Sequence, residues 1–217
     1  MIKITDEQYE QMSNQIIIEF LKSASQKERY QLVSEWNHDA GYEVFKWIIN
    51  DPETDKAIAL MMYWQSGGEC NKTYACREDL MQESPWDAER FDMIEQLEDK
   101  YMSGFYKNQL FVYDPTNDSH DYDWTKENWG ELKREMPSEM LQRLDGVKVQ
   151  FEEDWAEGVP PHVWEKISKL SRADKGRTRV RKANIIRLSS LKIKKTFSRI
   201  MKFIFPEGRC HYLLTNF

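Results

Sequence analysis

The sequence predicts a mostly α-helical fold, a bundle or stack of helix pairs with a minor β element and a basic C-terminal helical segment. Three observations carry that prediction. Helix-start chemistry recurs along the first hundred residues, as two capping boxes followed by Asp- and Ser-led starts. Apolar residues between those starts return every three or four positions, which places them on one side of a helix. Runs with β character are short and few.

Thr5-Asp6-Glu7-Gln8 is a capping box, with Thr5 accepting from the third helical amide while Gln8 reaches back. The helix it opens is expected to bury Tyr9, Met12, Ile16, Ile17 and Phe20. Ser25-Gln26-Lys27-Glu28 repeats the signal, and Tyr30, Leu32, Val33 and Trp36 supply the next apolar face. Asp39 is expected to cap a helix over 41–49 that carries Val44, Phe45, Ile48 and one face of Trp47 inward. Asp51-Pro52 reads as a capping Asp followed by Pro at the first helical position, where a missing amide costs nothing. That helix continues through 57–64 and stops at Gly67-Gly68. Ser84-Pro85-Trp86-Asp87 opens a long helix over 87–103, with Phe91, Ile94, Leu97 and Tyr101 on one stripe. Trp47, Leu60, Trp64, Phe91, Ile94 and Leu97 are expected to share one core.

The second half reads less regularly. Segments 110–113 and 147–151 are β-prone, the first ended by Asp114-Pro115 and the second preceded by an Asp145-Gly146 turn. The loop 116–123 separates the first of them from an expected helix over 124–135, and Ser138 starts another short one. Gly158-Val159-Pro160-Pro161 is the clearest boundary signal, dividing an acidic domain, 1–157, from a basic segment, 158–217. Beyond it come a helix over 162–170, a basic linker and a long helix over 183–205.

Within this reading, Asn37-His38-Asp39-Ala40-Gly41-Tyr42, Thr54-Asp55, Ala59-Leu60 and Tyr63-Trp64 resemble a bacterial family, domain of unknown function 4274. That family carries Asn-Trp-Asp-Asp-Gly-Phe before an apolar helix, then Cys-Asp, Thr-Ala-Leu and a late aromatic pair. This chain departs at His38 for Trp, Ala40 for Asp, Thr54 for Cys and Ile58 for Thr. The resemblance is close over 36–65, with a weaker continuation towards Gly146. It implies a fold and brings no activity with it.

Composition narrows the class. Hydrophobic residues make up 40% of 217, with eight Trp, ten Tyr and ten Phe, which excludes a disordered chain. No apolar run is long enough to span a bilayer, and the N-terminus lacks a basic stretch followed by an apolar one. Cys70, Cys76 and Cys210 are too scattered for a disulfide framework, so a cytoplasmic protein with reduced thiols is expected. The net charge of −6 conceals an asymmetry. Residues 1–163 hold 34 acidic against 16 basic side chains, and residues 164–217 hold 3 against 15. Eleven basic residues and no acidic one lie between Lys175 and Pro206. Such polarity suits a tail that docks on its own acidic body, or two surfaces with different partners.

Reaction chemistry leaves no motif. His38, His120, His162 and His211 are never three or four apart, and Cys70 and Cys76 lack a second pair, so no metal and no cofactor are expected. The acidic loop of Asp114, Asn117, Asp118, Asp121 and Asp123 lacks the Gly and the distant Glu of a calcium loop. Nucleophile elbows, dinucleotide fingerprints and phosphate loops are absent. Asn37, Asp39 and Gly41 suit either a polar patch at a helix start or a cap with a tight turn.

The expected work is protein binding, with Asn37, His38, Asp39, Asp55, Asp114, Asp118, Asp121 and Asp123 as the candidate partner-binding residues. An acidic, aromatic-rich protein of this size suits an inhibitor or immunity protein that masks a basic bacterial toxin such as a nuclease. The competing classes are a hydrolase or transferase whose carboxylates converge only in the fold, and a peripheral membrane protein using the 183–205 helix. Nucleic acid is not expected as a partner, because the overall charge opposes it.

Overall fold

The computed structural model describes residues 4–127 and 130–173. Among them run eight α-helices: α1 (Asp6–Leu21), α2 (Gln26–Ser34), α3 (Glu43–Asn50), α4 (Lys56–Gln65), α5 (Gly68–Lys72), α6 (Arg77–Glu83), α7 (Ala88–Met102) and α8 (Pro161–Ala173). The mostly helical prediction holds. The expected 183–205 helix lies outside the described residues.

Both capping boxes form. Thr5 Oγ1 accepts from the Gln8 amide at 3.1 Å and Gln8 Oε1 accepts from the Thr5 amide at 2.9 Å. Ser25 and Glu28 repeat the exchange at 3.3 and 2.7 Å. Each cap contributes about 1 kcal/mol and sets where its helix starts.

α4 is the centre of the molecule. Every residue from Ala57 to Gln65 is buried, so this helix is covered on all sides. α2 and α7 lie against it, α3 touches both α1 and α7, and α8 packs along α1. Val163 and Ile167 of α8 join the same core as Leu60, Trp64, Ile94 and Leu97. Trp47 is only partly buried against that core. Phe91 leaves it for a separate cluster with Tyr74 and Leu80, because α6 and α7 close over it.

Several expected boundaries move. Met12 is 44% exposed, since α1 turns Ile17 and Leu21 towards α3 and α8 instead. Tyr42, not Asp39, occupies the cap position of α3, and the residues before it form a 3-10 turn, His38–Ala40. Asp51 does not start α4: its carboxylate accepts from the Glu53 amide at 3.0 Å and from Arg29 Nη1 at 2.6 Å. Asp55 is the cap, accepting from the Ala57 amide at 2.9 Å. Gly67, at φ +82°, ends α4, while Gly68 begins α5.

The expected 124–135 helix is also corrected. Among the described residues of that stretch only Trp124–Lys126 turns, as a 3-10 element. The Lys133 and Arg134 amides instead donate to the Lys72 carbonyl at 2.8 and 3.2 Å, so tertiary bonds take the place of helical ones. The β expectation reduces to isolated bridges, Phe111 with Val147 and Tyr113 with Leu144. Side chains pin this irregular half onto the helices. Tyr30 Oη donates to the Val112 carbonyl at 3.1 Å, Trp64 Nε1 to Met140 at 2.8 Å and Tyr106 Oη to Ile49 at 3.0 Å.

Candidate functional site

The eight residues expected to bind a partner do not form one surface. Asp55 is fully buried, and its second oxygen accepts from the Leu110 amide at 2.5 Å. Burial pushes its carboxyl up, while the amides of Leu110, Ala57 and Phe111 pull the other way. It clips the start of α4 to the irregular half and offers no surface to a partner. Asp55→Ala is therefore expected to lower stability by about 1.5–3 kcal/mol, read from urea melts, through buried amides left without an acceptor.

Asp118 is likewise 6% exposed, accepting from the amides of His120 and Tyr122 and from Trp124 Nε1 at 2.8, 3.0 and 2.9 Å. Asp114 Oδ1 holds the Thr116 amide and hydroxyl at 2.9 and 2.7 Å, and Asp123 Oδ1 holds those of Thr125 at 3.1 and 2.7 Å. Lys126 holds the Asp123 carboxyl below its usual range. Asp121 sits at φ +57° in the turn between them. The carboxylates of Asp114, Asp118 and Asp123 fold their own loop, as short acidic side chains do in turns. Among the described residues no cluster of potential ligands could hold a metal ion.

The 37–41 turn is different. His38 stands edge-on to Phe45 with ring centroids 5.7 Å apart. Asn37 Nδ2 donates to Glu157 Oε2 at 3.3 Å, which ties the turn to the segment leading into α8. The side-chain role expected of Asp39 lies outside what is described.

That segment borders an open groove that sequence patterns missed. It has a volume of about 570 Å³ and lies between the start of α2 and residues 152–162. Gln31 clamps one wall, with Nε2 donating to the Glu152 carbonyl at 2.8 Å and Oε1 accepting from the Glu152 amide at 2.9 Å. Phe20 of α1 meets Trp155 and His162 edge-on at 6.0 and 5.8 Å, which sets both rings as walls. Pro160 and Pro161 complete that side where α8 begins.

A tight turn holds the wall in place. Ala156 and Val159 exchange backbone hydrogen bonds at 3.0 Å around Glu157 and Gly158, both at positive φ. A Cβ on Gly158 would lie 2.3 Å from the Leu32 carbonyl oxygen, so only glycine seats the turn against α2.

Glu28, Glu152 and Asp154 give the groove its charge, and Lys27 pairs with Glu152 at 2.7 Å. Those two side chains are 44% and 57% exposed, so the pair contributes about 0–1 kcal/mol and is exchangeable. Carboxylates beside an indole face and proline rings suit a lysine or arginine side chain. The clue in the sequence was Glu152-Glu153-Asp154-Trp155, an acidic run ending in an aromatic, but only folding sets it opposite α2.

A second polar cluster braces the scaffold. Arg134 meets Glu95 with two nitrogens at 2.6 and 2.9 Å and donates to the carbonyls of Asn71 and Tyr74 at 2.8 Å each. Lys72, 3% exposed, meets Glu98 at 2.6 Å. Burial opposes ionisation of Glu95, yet Arg134, Asn71 and Lys72 outweigh it and hold its carboxyl below the usual 4.5. A carboxyl lowered in the folded state contributes stability above its unfolded value and loses it as pH falls through the folded one. Arg134→Ala should therefore cost about 1.5–3 kcal/mol at neutral pH and return the Glu95 carboxyl upward. Carbon-detected carboxyl titration would show that return, together with a smaller loss of stability below pH 4.5 than in the wild type.

These features define a helical scaffold that carries an acidic, aromatic-walled groove. Residues 24–102 match a family model, the domain of unknown function (DUF4274). The match extends the resemblance over 36–65 at both ends, from just before the second capping box to the end of α7. It takes in the α2 wall of the groove and not the 152–162 wall. No curated protein and no solved structure matches the chain.

Proposed function

We propose that this protein is a binding module for a basic protein partner, received at the groove between α2 and the start of α8. The observation that supports the reading is the lining itself. Glu28, Glu152 and Asp154 surround a cleft whose walls include Trp155, His162 and two prolines. Carboxylates steer a basic partner and the rings give its side chains apolar contact. Residues 1–163, with 34 acidic against 16 basic side chains, extend the same attraction over the body.

In its specific form this is a cytoplasmic inhibitor or immunity protein that masks a basic bacterial toxin, such as a nuclease. No helix among the described residues is long and apolar enough to cross a membrane. The test is affinity capture from the native cell with the wild type and with the exposed pair Glu152→Lys and Asp154→Lys. One stoichiometric basic protein on the wild type, lost from the variant and released by salt, is the expected result. Recovery of the same proteins by both, or a stoichiometric partner that is acidic, would overturn the reading.

A further inference from the structure

A basic side chain already stands in the groove. Lys27 lines it from α2, and its ammonium meets Glu152 Oε1 on the facing wall at 2.7 Å. The walls are close together, because Gln31, one turn further along α2, bonds both the amide and the carbonyl of Glu152. A single side chain therefore spans the cleft. Both members of the Lys27–Glu152 pair are exposed, so water and a ligand can take either place.

The other two carboxylates keep acceptor capacity. Glu28 takes the Ser25 amide and hydroxyl on Oε2 alone, at 2.7 and 2.8 Å, so the capping box fixes this side chain and leaves Oε1 for a ligand. Asp154 makes no hydrogen bond or ion pair with another described residue. A lysine arriving here would exchange one ammonium for another at Glu152 and gain little. A guanidinium is planar and carries five N–H donors. It can hold Glu152 with two parallel bonds and turn the rest towards a second carboxylate. Its face also stacks on an indole, and the edge of Phe20 holds Trp155 in the wall at 6.0 Å.

We infer that the groove selects arginine over lysine, and that Lys27 is the resident competitor which an incoming arginine displaces from Glu152. The inference rests on the groove being the basic-partner site. Lys27 satisfies Glu152 in the unbound protein, which weakens the binding of any single ammonium. The further bonds of a guanidinium then supply the margin. An exposed pair of this kind competes by a factor of up to about five.

Two tripeptides blocked at both ends, Gly-Arg-Gly and Gly-Lys-Gly, test this on the full chain. Each carries one positive charge, so the acidic body attracts them equally. Binding is read from the indole N–H resonance of Trp155, assigned with Trp155→Phe. On the wild type Gly-Arg-Gly should bind more tightly than Gly-Lys-Gly by about threefold or more. Lys27→Met should tighten both peptides by about twofold to fivefold. Lys46→Met, which takes the same charge from a pair outside the groove, should change neither. Equal or tighter binding of Gly-Lys-Gly, lost on Glu152→Lys with Asp154→Lys, would overturn the selection of arginine while leaving the groove as a basic-ligand site. Unchanged affinities in Lys27→Met would overturn the competitor. Binding that survives Glu152→Lys with Asp154→Lys, or no binding of either peptide to wild type and Lys27→Met, would remove both readings.

Discussion

Arg90→Ala is expected to lower the unfolding free energy by about 3–5 kcal/mol, the largest loss from any single charged residue described. Arg90 is 2% exposed in the first turn of α7. Its guanidinium donates to Asp87 at 3.0 and 3.3 Å, to the carbonyls of Ser66 and Gly67 at 3.1 and 3.5 Å, and to Cys70 Sγ at 3.7 Å. One side chain thus ties the α4–α5 turn to the start of α7. Alanine would leave the Asp87 carboxylate, 5% exposed, without its counter-charge and take the guanidinium donor from the Ser66 carbonyl, while the Gly67 carbonyl keeps the Asn71 amide at 3.1 Å. A double change to apolar residues, Arg90→Met with Asp87→Leu, should recover part of the loss, because it removes the stranded charge without restoring a donor to the Ser66 carbonyl. Urea melts of the two variants and the wild type give the comparison. A loss below 1 kcal/mol for Arg90→Ala would show that the pair is no anchor.

Leu60→Ala should cost about 2–5 kcal/mol, since Leu60 is fully buried at the middle of α4. The helix is enclosed by α2 and α7, and the capping box of α2 together with the packing of both helices hinders collapse into the space left behind. Leu97→Ala on α7 faces the same core and should lose a similar amount. The two losses together should fall short of their sum, because both positions lie in one core between packed helices and a shared space can relax once. Full additivity in denaturant melts would contradict a common core.

Local chemistry was readable in the sequence wherever it is self-contained. Thr5 with Gln8 and Ser25 with Glu28 place both capping boxes correctly, because every group in them lies within four residues. The apolar stripe of Ile94, Leu97 and Tyr101 was legible for the same reason: helical spacing alone makes it one face. Asp51 and Asp55 show where such reading ends. Both are acidic, and each lies close before the apolar run of α4. The choice fell to Asp55 because Arg29, from α2, took the Asp51 carboxylate while Leu110 came to Asp55.

The second half repeats that lesson. Segment 124–135 has helix-forming residues, yet distant groups hold Lys133 and Arg134 in place of helical bonds: the Lys72 carbonyl, Glu95 and the carbonyl of Tyr74. Of the candidate site, the acidic loop was visible as composition, but the carboxylates of Asp114, Asp118 and Asp123 proved to be turned on the loop's own backbone. Of the groove only the acidic run Glu152-Glu153-Asp154-Trp155 was visible, not the cleft it lines. Gln31 and Glu152 lie 121 positions apart, and Phe20 meets Trp155 only because α8 lies along α1. The sequence by itself determined the two capping boxes, the apolar stripes of the long helices and the uneven distribution of charge, since these depend on neighbours along the chain. Only the tertiary structure decided which acids are buried and which line a cleft, because that depends on groups brought together across the fold.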